Sequence, residues 1–146
     1  MITLRKFTAA DTDIVRQRLY PDMEPAQITE MIGQWNKGSF EGKFFRMLAV
    51  LFDDEIVGTV SLLQKGVGCA SFGIEIMEGY RRRGIAAWAG AQALCYAAER
   101  GYRKVISQVR QDNAASIALH RKLGFVLAEQ TVNRKGNPVF LYEKDL

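Results

Sequence analysis

The chain has 146 residues, enough for one domain with a full hydrophobic core and too few for two ordinary ones. Its 48% apolar and 25% charged residues are those of a soluble globular protein, and no run of about 18 apolar residues exists to span a membrane. A formal net charge of +4 suits an anionic small-molecule partner as well as nucleic acid, while two cysteines, Cys69 and Cys95, and a single histidine make neither a disulfide framework nor a metal site.

The first residues, MITLRKFTAADTD, lack the apolar core of a secretory signal, so a cytoplasmic location is expected. Ile2 to Phe7 alternates apolar and polar residues as a half-buried strand does, and Thr8 to Asp11 supplies polar caps. A short helix is predicted from about Thr12 to Leu19, ending before Pro21. A second begins near Pro25 and carries Ile28, Met31, Ile32 and Trp35 at helical spacing. Trp35 to Phe44, with Gly38 and Gly42, reads as a loop. Phe45–Phe52 and Glu55–Leu63, joined by Asp53 and Asp54, form a hairpin, and Ala70–Met77 is the next strand after a turn at Lys65, Gly66 and Gly68.

That strand runs into Arg81, Arg82 and Arg83, then Gly84, then a long alanine-rich helix closed by Gly101. Guanidinium groups suit phosphate in charge and fork geometry, and a helix start presents unpaired N–H groups with the positive end of the helix dipole. The stretch reads as a pyrophosphate cradle or, as readily, as a solvated basic turn before a core helix. Ala86, Gly90, Ala93 and Ala97 recur at spacings that give one face of small side chains, suited to close approach to a sheet. Lys104–Val109 is a further strand. A helix capped by Asp112 or Asn113 runs to about Lys122, and Phe125–Val132 and Val139–Glu143 are the last two strands. No repeat or linker divides the chain.

Arg81-x-x-Gly84-x-Ala86 at a strand-to-helix junction resembles the acyl-CoA signature of the GNAT superfamily of N-acetyltransferases, whose usual form is Gln or Arg, two residues, Gly, one residue, Gly or Ala. About 27 residues beyond Ala86, Asn113-Ala-Ala-Ser116-Ile-Ala-Leu-His120-Arg-Lys-Leu-Gly124-Phe125 is similar to the family's second signature. The resemblance spans nearly the whole chain and is weakest from Thr12 to Phe44. It implies a single α/β (α+β) domain over residues 1–146: a mixed, mostly antiparallel sheet of about seven strands flanked by about four helices, splayed near Ile74 to Met77 to admit acyl-CoA.

The resemblance further implies transfer of an acetyl group from acetyl-CoA to an amine by direct attack, with the oxyanion held by a backbone N–H at about Ile76. The backbone of Ile74 and Ile76 would pair with the pantetheine arm, and the amides of Arg82, Arg83, Gly84, Ile85, Ala86 and Ala87 would hold the pyrophosphate. Asn113 and Ser116 fall in the cofactor-contacting signature, where Asn113 serves equally as a helix cap. His120 stands where the family often has a tyrosine that protonates the departing thiolate, and an imidazole can donate a proton near neutral pH. An amine with a pKa of about 10.4 is neutral only about once in 2,500 molecules at pH 7, so a base is needed. Glu75 is the candidate: with Ile74 and Ile76 facing the long helix, alternation turns Glu75 toward the N-terminal helices, where it would act as base or pair with a neighbouring basic residue. Glu24 and Glu78 are weaker candidates. Tyr20, Met31, Trp35, Phe40 and Phe44 would line an acceptor pocket, although Met31 and Trp35 also fit a core helix face. Cys69 and Cys95 are poorly placed as nucleophiles.

The acceptor, a small-molecule or peptide amine, has no signature, and a homodimer is a family habit. Two other readings compete. An acyl-CoA-binding regulatory domain without catalysis is kept open by His120. A basic nucleic-acid-binding module lacks the aromatic residues interleaved with basic ones that such modules use.

Overall fold

The computed structural model describes all residues from Met1 to Leu146. β1 (Ile2–Lys6) leads through a 3₁₀ turn (Ala9–Asp11) into α1 (Thr12–Arg18) and α2 (Pro25–Asn36). β2 (Ser39–Phe40), β3 (Lys43–Phe52), β4 (Glu55–Gly66) and β5 (Cys69–Ile76) follow, then α3 (Ile85–Glu99), β6 (Lys104–Arg110), α4 (Ala114–Lys122), β7 (Val126–Val132) and β8 (Pro138–Asp145). The predicted loop before β3 contains one short pairing, β2 with β3, which raises the strands from about seven to eight. No helix is long and apolar enough to cross a membrane.

The sheet order is β1-β3-β4-β5-β6-β8-β7, and every pairing is antiparallel except β5 with β6. That one parallel pairing holds only from Cys69 with Lys104 to Ser71 with Ile106. Beyond it β5 stays bonded to β4 as far as Ile76 with Gly58, and β6 stays bonded to β8 as far as Arg110 with Val139. The two halves of the sheet therefore part, and the opening begins at Phe72 and Ser107, earlier than the expected Ile74.

Each face carries its own core. On one, α3 lies across the sheet and buries Ile85, Ala89, Ala93, Leu94 and Ala97 against Val50, Val60, Phe72, Ile76, Val105 and Val109. Gly90 lies in that contact, and a Cβ on it would come 2.7 Å from Leu123 Cδ1. The missing side chain at Gly90 thus makes room for Leu123 at the end of α4 beside the strands, with Ala86 at the edge of the buried stripe. On the opposite face α1 and α2 close over Phe7, Ala49, Leu51 and Ile56 with Val15, Ile28, Ile32 and Trp35. Pro25 at the start of α2 and the Glu24 N–H donated to Gln27 Oε1 (2.9 Å) fix where that helix begins. Asp11 ties β1 to the first turn: Arg5 donates to both its carboxylate oxygens (2.7 and 2.9 Å) and the Thr8 N–H adds a third bond (2.8 Å). The Arg5 hydrogen bonds hold the Asp11 carboxyl below its ordinary range.

Candidate active site

The parting of β5 from β6 leaves one strand edge unpaired, and peptide direction decides which groups it offers. Odd residues of β5 bond to β4, as the Met77 N–H does to the Val57 carbonyl (2.8 Å). Phe72, Ile74 and Ile76 therefore turn their N–H and C=O groups into the opening. Two of these carbonyls are met by side chains. Ser107 Oγ lies 3.3 Å from the Phe72 carbonyl oxygen, and Arg81 Nε donates to the Ile76 carbonyl (2.9 Å). The backbone of Ile74 and Ile76 thus lies where an extended amide chain could add to a sheet edge.

At the wide end of the opening lies the turn before α3. No backbone N–H from Arg81 through Ala87 has a backbone acceptor; the first such bond is Trp88 N–H to the Gly84 carbonyl (3.1 Å). Arg82 (φ 65°) and Gly84 (φ 77°) are left-handed, which curls the turn and gathers these donors at the start of α3. A Cβ at Gly84 would meet no protein atom within 4 Å, so the space in front of the helix end is open. Donors without acceptors, beside open space and a helix dipole, fit a pyrophosphate. Of the three arginine side chains, Arg81 donates to the Ile76 carbonyl, Arg83 lies over the Tyr80 ring (5.4 Å), and Arg82 is exposed.

On the sheet face opposite α3, a cleft is lined by Arg18 and Tyr20 at the end of α1, Thr59 of β4, Glu75 of β5, and Glu78 and Arg81 beyond it. Glu75 faces the N-terminal helices, as alternation required. It is exposed rather than covered, and no basic residue lies within salt-bridge distance of it. The Tyr20 hydroxyl is pushed up in pKa by burial and, secondarily, by the negative charge of Glu75, which puts the two groups in one field. Arg18 is anchored by donating to the Ile56 carbonyl (2.9 Å). Of the five predicted pocket residues only Tyr20 lines this cleft. Trp35 is buried and Met31 half-buried in the core under α2; Phe40 is exposed away from the cleft; and Phe44 lies on the α3 face under the Arg100 guanidinium (3.7 Å). Phe44 faces α3 rather than the cleft because face depends on register, and Lys43–Phe52 is too uniformly apolar to show in sequence which residues point where. Glu24 caps α2, outside the cleft.

The second signature folds as α4, where Asn113 and His120 make specific hydrogen bonds while Arg121 and Lys122 are exposed. Asn113 accepts the Ser116 N–H (3.0 Å), taking the N-cap role. His120 is 3% exposed, packed among Phe72, Phe125 and Tyr142, with both ring nitrogens engaged. Nδ1 is 2.7 Å from the Ser116 carbonyl oxygen, and Nε2 is 2.7 Å from Ser107 Oγ. A carbonyl only accepts, so Nδ1 carries the proton and Nε2 presents a lone pair to the Ser107 hydroxyl. Burial also pushes the imidazole pKa down, partly opposed by the hydrogen bond to the Ser116 carbonyl. This polarity is the reverse of the expected thiolate acid: in the resting protein Nε2 is an acceptor with no proton to give. Ser107 was not singled out from the sequence, though a signal existed. Val105 and Val109 are buried on the same face of β6, and a serine between them sits at a core position.

The acetyltransferase (GNAT) family pattern matches residues 11–125, and the chain belongs to that family. A prophage-derived uncharacterised N-acetyltransferase of Bacillus subtilis (strain 168) is 33% identical over 96 residues, which cover 64% of this chain and 54% of that one; the match thus spans about half the length of that relative. Among solved structures, RimL, a ribosomal L7/L12 α-N-protein acetyltransferase in complex with coenzyme A, superposes with a TM-score of 0.88 at 17% identity, over 99% of this chain and 94% of that one. The microcin C7 self-immunity acetyltransferase MccE, in complex with acetyl-CoA and AMP, gives 0.81 at 16% identity, over 99% and 92%.

Proposed function

We propose that the chain transfers an acetyl group from acetyl-CoA to a primary amine by direct attack. The observation that carries this reading is the run of backbone amides from Arg81 to Ala87 without backbone acceptors, set at the wide end of a split between two strands. Those amides hold the pyrophosphate, and the inward-facing backbone of Ile74 and Ile76 holds the pantetheine arm. The thioester then lies deeper in the parting of the sheet, beyond the pantetheine arm and toward the apex where β5 leaves β6. Family membership supports the chemistry, and relatives of the same fold are described in complex with CoA or acetyl-CoA.

The amine enters from the opposite sheet face, through the cleft of Arg18, Tyr20, Thr59, Glu75 and Glu78. Glu75 takes the proton that an ammonium group must lose before attack, and the Tyr20 hydroxyl beside it orients the nitrogen. Carboxylates and guanidinium groups both line this cleft, which suits an acceptor with a second polar group near its amine. Named acceptors of structural relatives range from a ribosomal protein to spermidine, so fold alone leaves this choice to the cleft. The dimer implied by the resemblance is tested by sedimentation equilibrium.

The reading is tested by calorimetric titration with acetyl-CoA, dephospho-CoA and ATP, then by thiol release across a panel of amines on the same sample. Micromolar acetyl-CoA binding with amine-dependent thiol release is expected. No binding, or binding without turnover on any amine, would replace the enzyme with the nucleic-acid module or the regulatory domain respectively.

A further inference from the structure

Where the ladder between β5 and β6 stops, the next residues on the two strands are Phe72 and Ser107, so Ser107 occupies the apex of the opening. Its hydroxyl has one proton and two neighbours: His120 Nε2 at 2.7 Å and the Phe72 carbonyl oxygen at 3.3 Å. The shorter contact and the bare Nε2 assign the proton to the imidazole. Ser107, His120 and the Ser116 carbonyl thus form a connected chain of hydrogen bonds from the apex of the opening between β5 and β6 into the core, the last link orienting the ring.

We propose that Ser107 carries the proton in the transfer step, its hydroxyl passing a proton from the attacking nitrogen to His120 Nε2 and back to the departing sulfur. The proposal rests on the acetyl-CoA reading above and adds a residue to it. After Glu75 has neutralised the amine, attack forms the N–C bond and leaves the nitrogen with one proton too many. That proton moves to Ser107 Oγ while the serine's own proton moves to Nε2. As the C–S bond breaks and its electron pair goes to sulfur, Nε2 returns its proton to Ser107, and the hydroxyl proton goes to the thiolate. Amide and CoA thiol result, Ser107 and His120 are restored, and no further reactant is consumed.

The chain has one histidine, so nitrogen NMR of an imidazole-labelled sample reports His120 alone. The expected spectrum of the free protein is the tautomer protonated at Nδ1. Saturating CoA should shift the Nε2 resonance, and desulfo-CoA, which lacks only the thiol, should leave it near its free position. Equal shifts from the two ligands, or none from either while calorimetry records binding, would overturn the proposal. Failure of CoA to bind at all removes the acetyl-CoA reading and the proposal with it. Ser107→Ala should abolish the thiol-dependent shift and lower amine-dependent thiol release by about 10²-fold or more at unchanged acetyl-CoA affinity, with Ser107→Thr restoring the shift. Mass-spectrometric detection of an acetyl group on Ser107 in turnover would replace the relay with a covalent route.

Discussion

Gly58 on β4 is paired with Ile76 on β5, and a Cβ added to Gly58 would lie 2.2 Å from the Glu75 carbonyl oxygen and 2.8 Å from Ile76 Cδ1. The first of these is backbone and cannot swing aside. Gly58→Ala should therefore push β5 off β4 and lower stability by about 1–3 kcal/mol or more. Because the displaced residues carry both the candidate base and the inward-facing amides, acetyl-CoA affinity should fall as well. Chemical denaturation with calorimetry on the same preparation checks both; wild-type values for the two would remove Gly58 from the site's support.

The cradle is tested at Gly84. Asn and Asp both tolerate the left-handed conformation better than other side chains, and they differ by one charge. Gly84→Asp should weaken acetyl-CoA by at least about tenfold more than Gly84→Asn, since a carboxylate in front of the amides repels phosphate. Equal affinities in calorimetry would mean that the phosphate lies elsewhere.

Glu75→Gln keeps shape and removes the charge. Loss of a general base typically costs about 10²–10⁴ in rate, so kcat for amine acetylation should fall by that order while the dissociation constant of acetyl-CoA stays within about twofold. Tyr20→Phe should raise KM for the amine more than it lowers kcat. A Glu75→Gln enzyme with full activity would pass the role to water.

His120 also sets a pH dependence of stability. Its folded pKa is depressed below the ordinary 6.5, chiefly by burial, so the native state binds fewer protons than the unfolded chain once pH drops below that value. Stability from the neutral buried ring is then fully present above about pH 6.5 and is lost on acidification, with a slope of up to about 1.4 kcal/mol per pH unit, until the folded ring protonates too. Urea unfolding between pH 7.5 and 5 should show this slope in the wild type and its absence in His120→Gln. Parallel slopes would mean that the ring is already solvated.

Much of this molecule is legible along the chain. The period of each segment predicts every element but the short β2, and three arginines with a glycine at the head of a small-residue helix point to a candidate anion site without a fold, because such a site is built from consecutive amides. Alternation along Ala70–Met77 was enough to put Glu75 across from Ile74 and Ile76, since a strand's two faces follow from counting by two. The N-terminal half was harder. Met31 and Trp35 belong to a core face, and Phe44 lies on the wrong side of the sheet for a pocket, because a run of apolar residues buried on both faces carries no mark of which face is which.

What only tertiary structure decided is the wiring across elements. Ser107 and His120 are 13 residues apart on a strand and a helix, and their hydrogen bond exists because β6 leaves β5 at the residue where α4 turns its histidine inward. The same is true of the imidazole's polarity. Sequence determines that a titratable ring stands at position 120; whether Nε2 holds a proton or a lone pair depends on a carbonyl one helical turn back and a hydroxyl on another strand. Backbone periodicity is local and survives in the sequence, whereas register and hydrogen-bond direction are settled only when the strands meet.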